Sequence, residues 1–324
     1  LQVALLNAVP GRTMKPEILL TEPIYAPAQA ELERQYTVHR LWTAADREQF
    51  IRDVAGGVRG VVTTGIGGFT RECIDALPHL EIIACFGNPR GTVDLARARE
   101  RGIAVTNTQD VIADTVADLA MGLVVAVMRR ICASDRHVRA GKWPAGPPPS
   151  GRDLGGKTCG IVGLGKIGRN IARRAEAFRM AVCYHGPHRK ADVTYPYYPD
   201  LEAMAAASDC LVVICPLTPE TRGLVNARVL DALGPEGFLV NAARGPVVDQ
   251  PALIAALKEK RIAGAALDVF WDEPNVPNEL VAMENVVLQP HMGSSTQEIR
   301  DERCRKLFAN LRAHFSGQPL LTPM

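Results

Sequence analysis

Three side chains in the C-terminal half of the sequence have the types and spacing for carboxylate and proton chemistry. Arg244 lies in Asn241-Ala242-Ala243-Arg244-Gly245, directly after a strand-like run. Ligands of open α/β sheets bind at such strand ends. A guanidinium has the planar fork that grips a carboxylate through two hydrogen bonds, with a surface ion pair as the plainer alternative. Leu267-Asp268-Val269-Phe270-Trp271-Asp272-Glu273-Pro274 puts carboxylates at another strand end, and Gln289-Pro290-His291-Met292-Gly293-Ser294 does the same with a histidine. Imidazole exchanges its proton readily near neutral pH. A carboxylate on its second ring nitrogen would fix the tautomer. Glu273 and His291 are 18 residues apart, across one loop and one strand, so they can meet. A lone histidine is usually structural or merely exposed. Three such residues at strand ends beside a nucleotide motif favour a joint site.

That motif is Gly163-Leu164-Gly165-Lys166-Ile167-Gly168, between the apolar run Thr158–Val162 and a helical pattern reaching about Arg179. Gly163 permits the tight turn, Gly165 lets a pyrophosphate approach the backbone, and Gly168 lets helix and strand pack closely. The N–H groups opening the helix, with its dipole, would hold the phosphates. A GxGxxG alone is weak; in this strand–turn–helix setting, with no Walker lysine and hydroxyl after it, it reads as a dinucleotide site. NAD sites place an acid about 20 residues past the first glycine to bind the ribose hydroxyls. Here that position reads Tyr184-His185-Gly186-Pro187-His188-Arg189-Lys190, without a carboxylate. His185 and the basic run His188, Arg189 and Lys190 are candidate cofactor contacts, Arg189 the leading one for a 2′-phosphate. NADP(H) is therefore the expected cofactor, with a solvated turn as the bland alternative. NAD(H) binding would need Asp192, reached by a bend in the loop.

The elements that must position these groups read as two runs of βα units. Strands are expected at Glu17–Leu20, Thr37–Leu41, Val58–Thr64, Ile82–Cys85 and Ala104–Thr106, then from Thr158 onward at Ala181–Tyr184, Cys210–Cys215, Phe238–Asn241, Ala265–Val269 and Val286–Leu288. Short helical patterns alternate with them, which argues for parallel sheets with helices on their faces. Ile112–Ile131 reads as one long helix, and Ser295–Ser316 as another, amphipathic one. Gly141–Arg152 is too rich in Pro and Gly for regular structure. Leu1–Thr13 reads as an extension outside the fold, with Met14 the natural start.

At 324 residues two domains are expected. A net charge of +2 gives no electrostatic case for nucleic acid or a membrane surface, and no stretch is long and apolar enough to span a bilayer. Eight cysteines without a CxxC pair read as buried free thiols in a reducing, cytoplasmic setting, with no metal site.

The chain resembles the D-isomer-specific 2-hydroxyacid dehydrogenases from about Ile18 to Pro323. The resemblance rests on Val105-Thr106-Asn107-Thr108 with Val116-Ala117-Asp118-Leu119, the glycine motif, Asn241–Gly245, Leu267–Pro274, Pro290–Ser294 and the tail Asn310–Pro323. In detail it is similar to the glyoxylate, hydroxypyruvate and hydroxyphenylpyruvate reductase branch. The resemblance implies two doubly wound, Rossmann-like domains of the α/β class. A dinucleotide domain (107–290) would be inserted in a discontinuous, flavodoxin-like substrate domain (1–106 with 291–324). It implies reduction of a small 2-keto acid, with His291 as acid and base, Glu273 its partner and Arg244 the carboxylate clamp. It also implies cofactor contacts at Pro216, Thr221, Ala243 and Asp268, the last near the nicotinamide or acting as a cap, and a homodimer. The alternatives are NAD-dependent oxidation of a D-2-hydroxy acid and a non-catalytic, nucleotide-sensing corepressor. In relatives the loop matching Phe86–Gly91 offers backbone N–H groups to the substrate from a Val-Gly pair. Here the pair is Asn88-Pro89, and proline has no N–H to give. Asn88, Pro89, Arg90, Gly65, Ile66 and Trp271 are therefore the expected substrate contacts.

Overall fold

The computed structural model describes residues 15–65, 67–108 and 112–324. Leu1–Thr13 and Ile66 lie outside the described residues. The chain divides into two units, Leu1–Val111 with Gln297–Met324, and Ile112–Thr296. Both breaks fall a few residues later than 106/107 and 290/291. The second moves because the backbone after His291 is tied to the larger unit: Met292 and Gly293 donate to the Asp268 carboxylate.

In the first unit, strands β1 (Glu17–Leu20), β2 (Thr37–Arg40), β3 (Val58–Thr64), β4 (Ile82–Phe86) and β5 (Ala104–Thr106) are all parallel, in the order β2-β1-β3-β4-β5. This is the flavodoxin-like doubly wound order. Successive side chains of a strand face opposite ways. Leu19, Val61 and Ile83 accordingly enter one core, while Ile18, Leu20, Val62 and Ile82 enter the other. The helix Gln297–Phe315 covers the second face with Leu307, Phe308 and Leu311.

The second unit carries β6 (Thr158–Val162), β7 (Ala181–His185), β8 (Tyr197–Tyr198), β9 (Cys210–Val213), β10 (Phe238–Asn241), β11 (Gly264–Leu267) and β12 (Val286–Leu288). Their order is β12-β11-β10-β9-β6-β7-β8, again parallel throughout. Strand order reverses between β6 and β9, the crevice where such folds bind ligands. Helices start where polar caps stop the strand-side loops. Asn226 accepts the N–H groups of Arg228 and Val229, and Asp249 accepts that of Ala252.

Ile112–Ile131 is not one helix. Ala113–Met128 ends, Arg130 takes a left-handed conformation (φ 55°), and a second helix runs over Ile131–Arg139. No Gly or Pro marks that break in the sequence. The sequence reading also missed β8, only two residues long, and the short helix Asn278–Ala282.

All eight cysteines are free. Burial pushes the thiol pKa up to about 12 at Cys85 and Cys159 and to about 11 at Cys215, which suppresses the reactive thiolate. In the native protein at pH 8, iodoacetamide is expected to leave these three unmodified by mass spectrometry, with full labelling only after denaturation. Prompt labelling of native Cys159 would contradict its burial.

Candidate active site

The turn after β6 is shaped for a dinucleotide. Gly163 has φ +104°, and a Cβ there would come within 2.9 Å of the Cys215 backbone beyond β9. At Gly168 a Cβ would lie 2.2 Å from the Gly163 carbonyl oxygen, so only hydrogen fits. Gly165, in contrast, faces open space, with nothing within 4 Å of a Cβ position. It precedes the helix Lys166–Ala177 and supplies no side-chain cap, which suits an anion at that helix start. Leu164 is buried, so it can offer only backbone, and Ile167 packs against the core. Beside this turn, Thr221 Oγ donates to the Pro216 carbonyl at 2.7 Å and accepts the Thr218 N–H at 2.7 Å. The loop after β9 is thereby closed on itself.

At the end of β7 the backbone is braced. Tyr184 Oη accepts the Lys190 N–H at 2.7 Å, and Tyr197 Oη donates to the Gly186 carbonyl at 3.0 Å. His185 Nδ1 lies 3.0 Å from the Tyr198 carbonyl. His188 and Arg189 are exposed, while Lys190 is half-buried. Asp192, the acid that NAD binding would require, is paired with Arg169 at 2.9 Å. That pair and the Asp192 carboxylate's own turn hold its pKa below the usual carboxylate range.

Beyond β10, β11 and β12 the expected chemistry assembles. His291 Nδ1 lies 2.7 Å from Glu273 Oε2, and Glu273 Oε1 accepts the Phe270 N–H at 3.0 Å. Both glutamate oxygens are thus engaged, which fixes the imidazole's orientation. His291 itself adopts a left-handed backbone, φ 55°, a conformation that costs of order 1–3 kcal/mol unless its surroundings enforce it. Asp268 enforces it. Its carbonyl accepts the His291 N–H at 2.8 Å, and its carboxylate accepts the Met292 and Gly293 N–H groups at 2.6 and 2.9 Å. Burial raises the Asp268 pKa, and the two backbone donors pull the other way. These contacts are those of a cap on the His291 turn.

Arg244 is exposed in extended backbone, and its Nη1 donates to the Ala243 carbonyl at 2.7 Å. Ala243 is buried, its N–H held by Asn241 Oδ1 at 3.1 Å, so both of its polar groups are used inside the turn. Gly245 is pressed on the next strand end: a Cβ would meet the Phe270 carbonyl carbon at 2.0 Å. Trp271, still 43% exposed, donates its indole N–H to the Val248 carbonyl at 2.8 Å, with the Arg222 guanidinium 5.8 Å from its ring. Asn241, 1% exposed, was missed as a site residue. It holds both Ala243 N–H and the Arg244 carbonyl, and its signal was an amide at a strand end inside an apolar run.

In the first unit, Gly65, Asn88, Pro89 and Arg90 cluster at the carboxyl ends of β3 and β4. A Cβ on Gly65 would come within 3.0 Å of the Asn88 carbonyl. Asn88 Oδ1 accepts the Arg90 N–H at 3.1 Å, and the Pro89 carbonyl accepts from Thr92 and Val93. Glu22, another residue missed in the sequence, accepts from Thr64 Oγ at 2.5 Å and from the Gly67 N–H at 3.0 Å. It ties the end of β1 to the loop after β3. Among the described residues no group of three His, Cys, Asp or Glu side chains is placed to hold a metal.

Residues 121–293 match the model of the D-isomer specific 2-hydroxyacid dehydrogenase, NAD binding domain. Hydroxyphenylpyruvate reductase of Plectranthus scutellarioides is 47% identical over 307 residues, 95% of this chain and 98% of that one. The 2-hydroxyacid dehydrogenase of Ketogulonicigenium vulgare superposes with a TM-score of 0.91 at 42% identity, covering 96% and 98% of the two chains. An NADPH-dependent glyoxylate/hydroxypyruvate reductase of Sinorhizobium meliloti, solved with NADP and malonate, gives 0.84 at 39% identity, covering 96% and 97%. The larger unit is accordingly a nicotinamide-cofactor domain, and the chain belongs to the D-isomer-specific 2-hydroxyacid dehydrogenases, as an oxidoreductase of their reductase branch.

Proposed function

We propose that this protein reduces a small 2-keto acid, glyoxylate or hydroxypyruvate in size, to the D-2-hydroxy acid with NADPH. The observation that carries the reading is the 2.7 Å contact between Glu273 and His291 Nδ1, beside Arg244 at the carboxyl edge of the seven-stranded sheet. The reduced nicotinamide, when bound, supplies hydride to the keto carbon. With Nδ1 on Glu273, His291 turns Nε2 to the substrate and gives its proton to the carbonyl oxygen. Arg244 orients the carboxylate and stabilises charge gathering on that oxygen. Asn88, with its Oδ1 on the Arg90 N–H, has its amide NH2 to offer the substrate in place of the N–H that Pro89 lacks.

Three features support NADPH over NADH. The end of β7 carries no carboxylate, Asp192 is held by Arg169, and Arg189 is exposed for a 2′-phosphate. The Sinorhizobium meliloti relative, NADPH-dependent, points the same way. A homodimer is supported by Ile131, Val138 and Trp143, exposed at 50%, 52% and 64%, on a helix and turn that bury none of their own residues. Eight free thiols suit a reducing compartment such as the cytoplasm.

The test is the rate of NADPH and of NADH oxidation with glyoxylate, hydroxypyruvate and hydroxyphenylpyruvate. NADPH is expected to lead in kcat/KM by about tenfold or more, the loss of one charge-assisted contact being worth about that factor. Arg189→Ala is expected to remove most of the lead. A preference for NADH would overturn the cofactor assignment and leave the acid–base assignment standing. No turnover of any 2-keto acid would overturn both.

A further inference from the structure

The first unit holds a cavity of about 290 Å³ between the far end of the loop after β4, at Arg90, and the edge strand β5. Leu95, Ile103, Val105 and Leu320 give it an apolar floor, and Arg90 and Arg99 stand on it. No acidic residue lines it. Neither guanidinium has a carboxylate partner among the described residues. By contrast, Arg97 on the same helix is paired with Asp75 and Glu100 at 2.6 and 3.0 Å. The wall is preformed. The C-terminal tail pairs with β5 through a Thr106–Pro323 bridge and a 2.9 Å bond from Met324 N–H to the Val105 carbonyl. Asn310, wholly buried, holds the N–H groups of Leu321 and Thr322 at 2.9 and 3.1 Å.

An apolar cavity with two guanidinium groups that no described carboxylate pairs, and with no acidic side chain in its lining, matches an anion that carries an apolar body. Its size is near the lower bound of about 300 Å³ for small-molecule sites. We propose that this cavity is a second binding site, for a small carboxylate with an aryl or alkyl tail, distinct from the substrate site. Arg90 links it to catalysis. The residue follows Pro89 directly, its N–H rests on Asn88 Oδ1 at 3.1 Å, and its side chain lines the cavity. An anion drawn to the Arg90 guanidinium therefore loads the turn that carries Asn88. This coupling rests on the reading of that turn as the substrate loop; the binding site does not.

The probe is 3-phenylpropionate, titrated calorimetrically into the Arg244→Ala variant so that the carboxylate clamp of the active site does not compete. Saturable binding is expected, weakened about tenfold or more when Arg99→Gln is added, as fits one lost charge-assisted contact. The neutral 3-phenylpropanol is expected to bind at least as weakly as the acid does to that double variant. Absent binding, equal affinity with Arg99→Gln, or equal affinity for the alcohol would overturn the site. With Arg244 intact, the probe is expected to shift KM for glyoxylate less when Arg99 is replaced by Gln. An identical shift in both would overturn the coupling, and neither binding outcome depends on turnover.

Discussion

His291→Asn is expected to lower kcat for glyoxylate reduction by about 10²–10⁴-fold, the range typical of a lost general acid. Asparagine is the informative replacement because position 291 has φ 55°, and Asn tolerates left-handed backbone better than most residues. The turn capped by Asp268 is then retained, and the loss reports proton transfer instead of a collapsed loop. Nucleotide affinity, read by fluorescence titration with NADPH, is expected to change little. Glu273→Gln is expected to fall less far, since an amide still reaches Nδ1 but presents no charge to the imidazolium. The amide has one acceptor oxygen, so it can serve Nδ1–H or the Phe270 N–H but not both, and one of the two present contacts is lost. A kcat within about threefold of the parent for His291→Asn would assign the proton to another group and remove the basis of the mechanism.

The parts of this site legible in the sequence are those set by local chemistry. A glycine that must take φ +104°, or that touches the next carbonyl, is written into a six-residue motif with a strand before it and a helix after it. Arg244, Glu273 and His291 stand at strand ends, and parallel strands bring their carboxyl ends to one edge of a sheet whatever the connections between them. Glu22 was illegible for the opposite reason. Its partners Thr64 and Gly67 are 42 and 45 residues away, and nothing near Glu22 distinguishes it from a solvated acid. Asp268 was ambiguous because a strand-end carboxylate serves a cap and a ligand equally well, and the donors it caps lie 24 and 25 residues away. The break at Arg130 was invisible because apolar periodicity continues through it and a left-handed arginine leaves no compositional mark. Arg90 was named for its place in the loop, and nothing in the sequence showed that it also borders the cavity beside β5.

Arg244→Ala is expected to lower kcat/KM for glyoxylate by about 10²–10⁴-fold, since two hydrogen bonds to a charged group are worth about 1.5–3 kcal/mol each. The side chain is prepared for that role by its backbone. The Arg244 carbonyl is held by Asn241 Nδ2 at 3.2 Å, and Gly245 behind it leaves no room against the Phe270 peptide. Nη1 rests on the Ala243 carbonyl at 2.7 Å, which fixes one nitrogen of the guanidinium and leaves the rest of the fork to an anion. Lysine at 244 keeps the charge but not the fork, so Arg244→Lys is expected to recover only part of the loss. The partition between constants is informative. A loss confined to KM means that Arg244 binds ground and transition states alike, whereas a fall in kcat means that it also meets charge on the carbonyl oxygen. Added guanidinium ion is expected to restore part of the Arg244→Ala activity, saturably and without effect on the parent. Restoration in neither constant, together with a kcat/KM for Arg244→Ala within about threefold of the parent, would show that the substrate carboxylate is held elsewhere. The turn at Asn88 would then carry the whole of that contact.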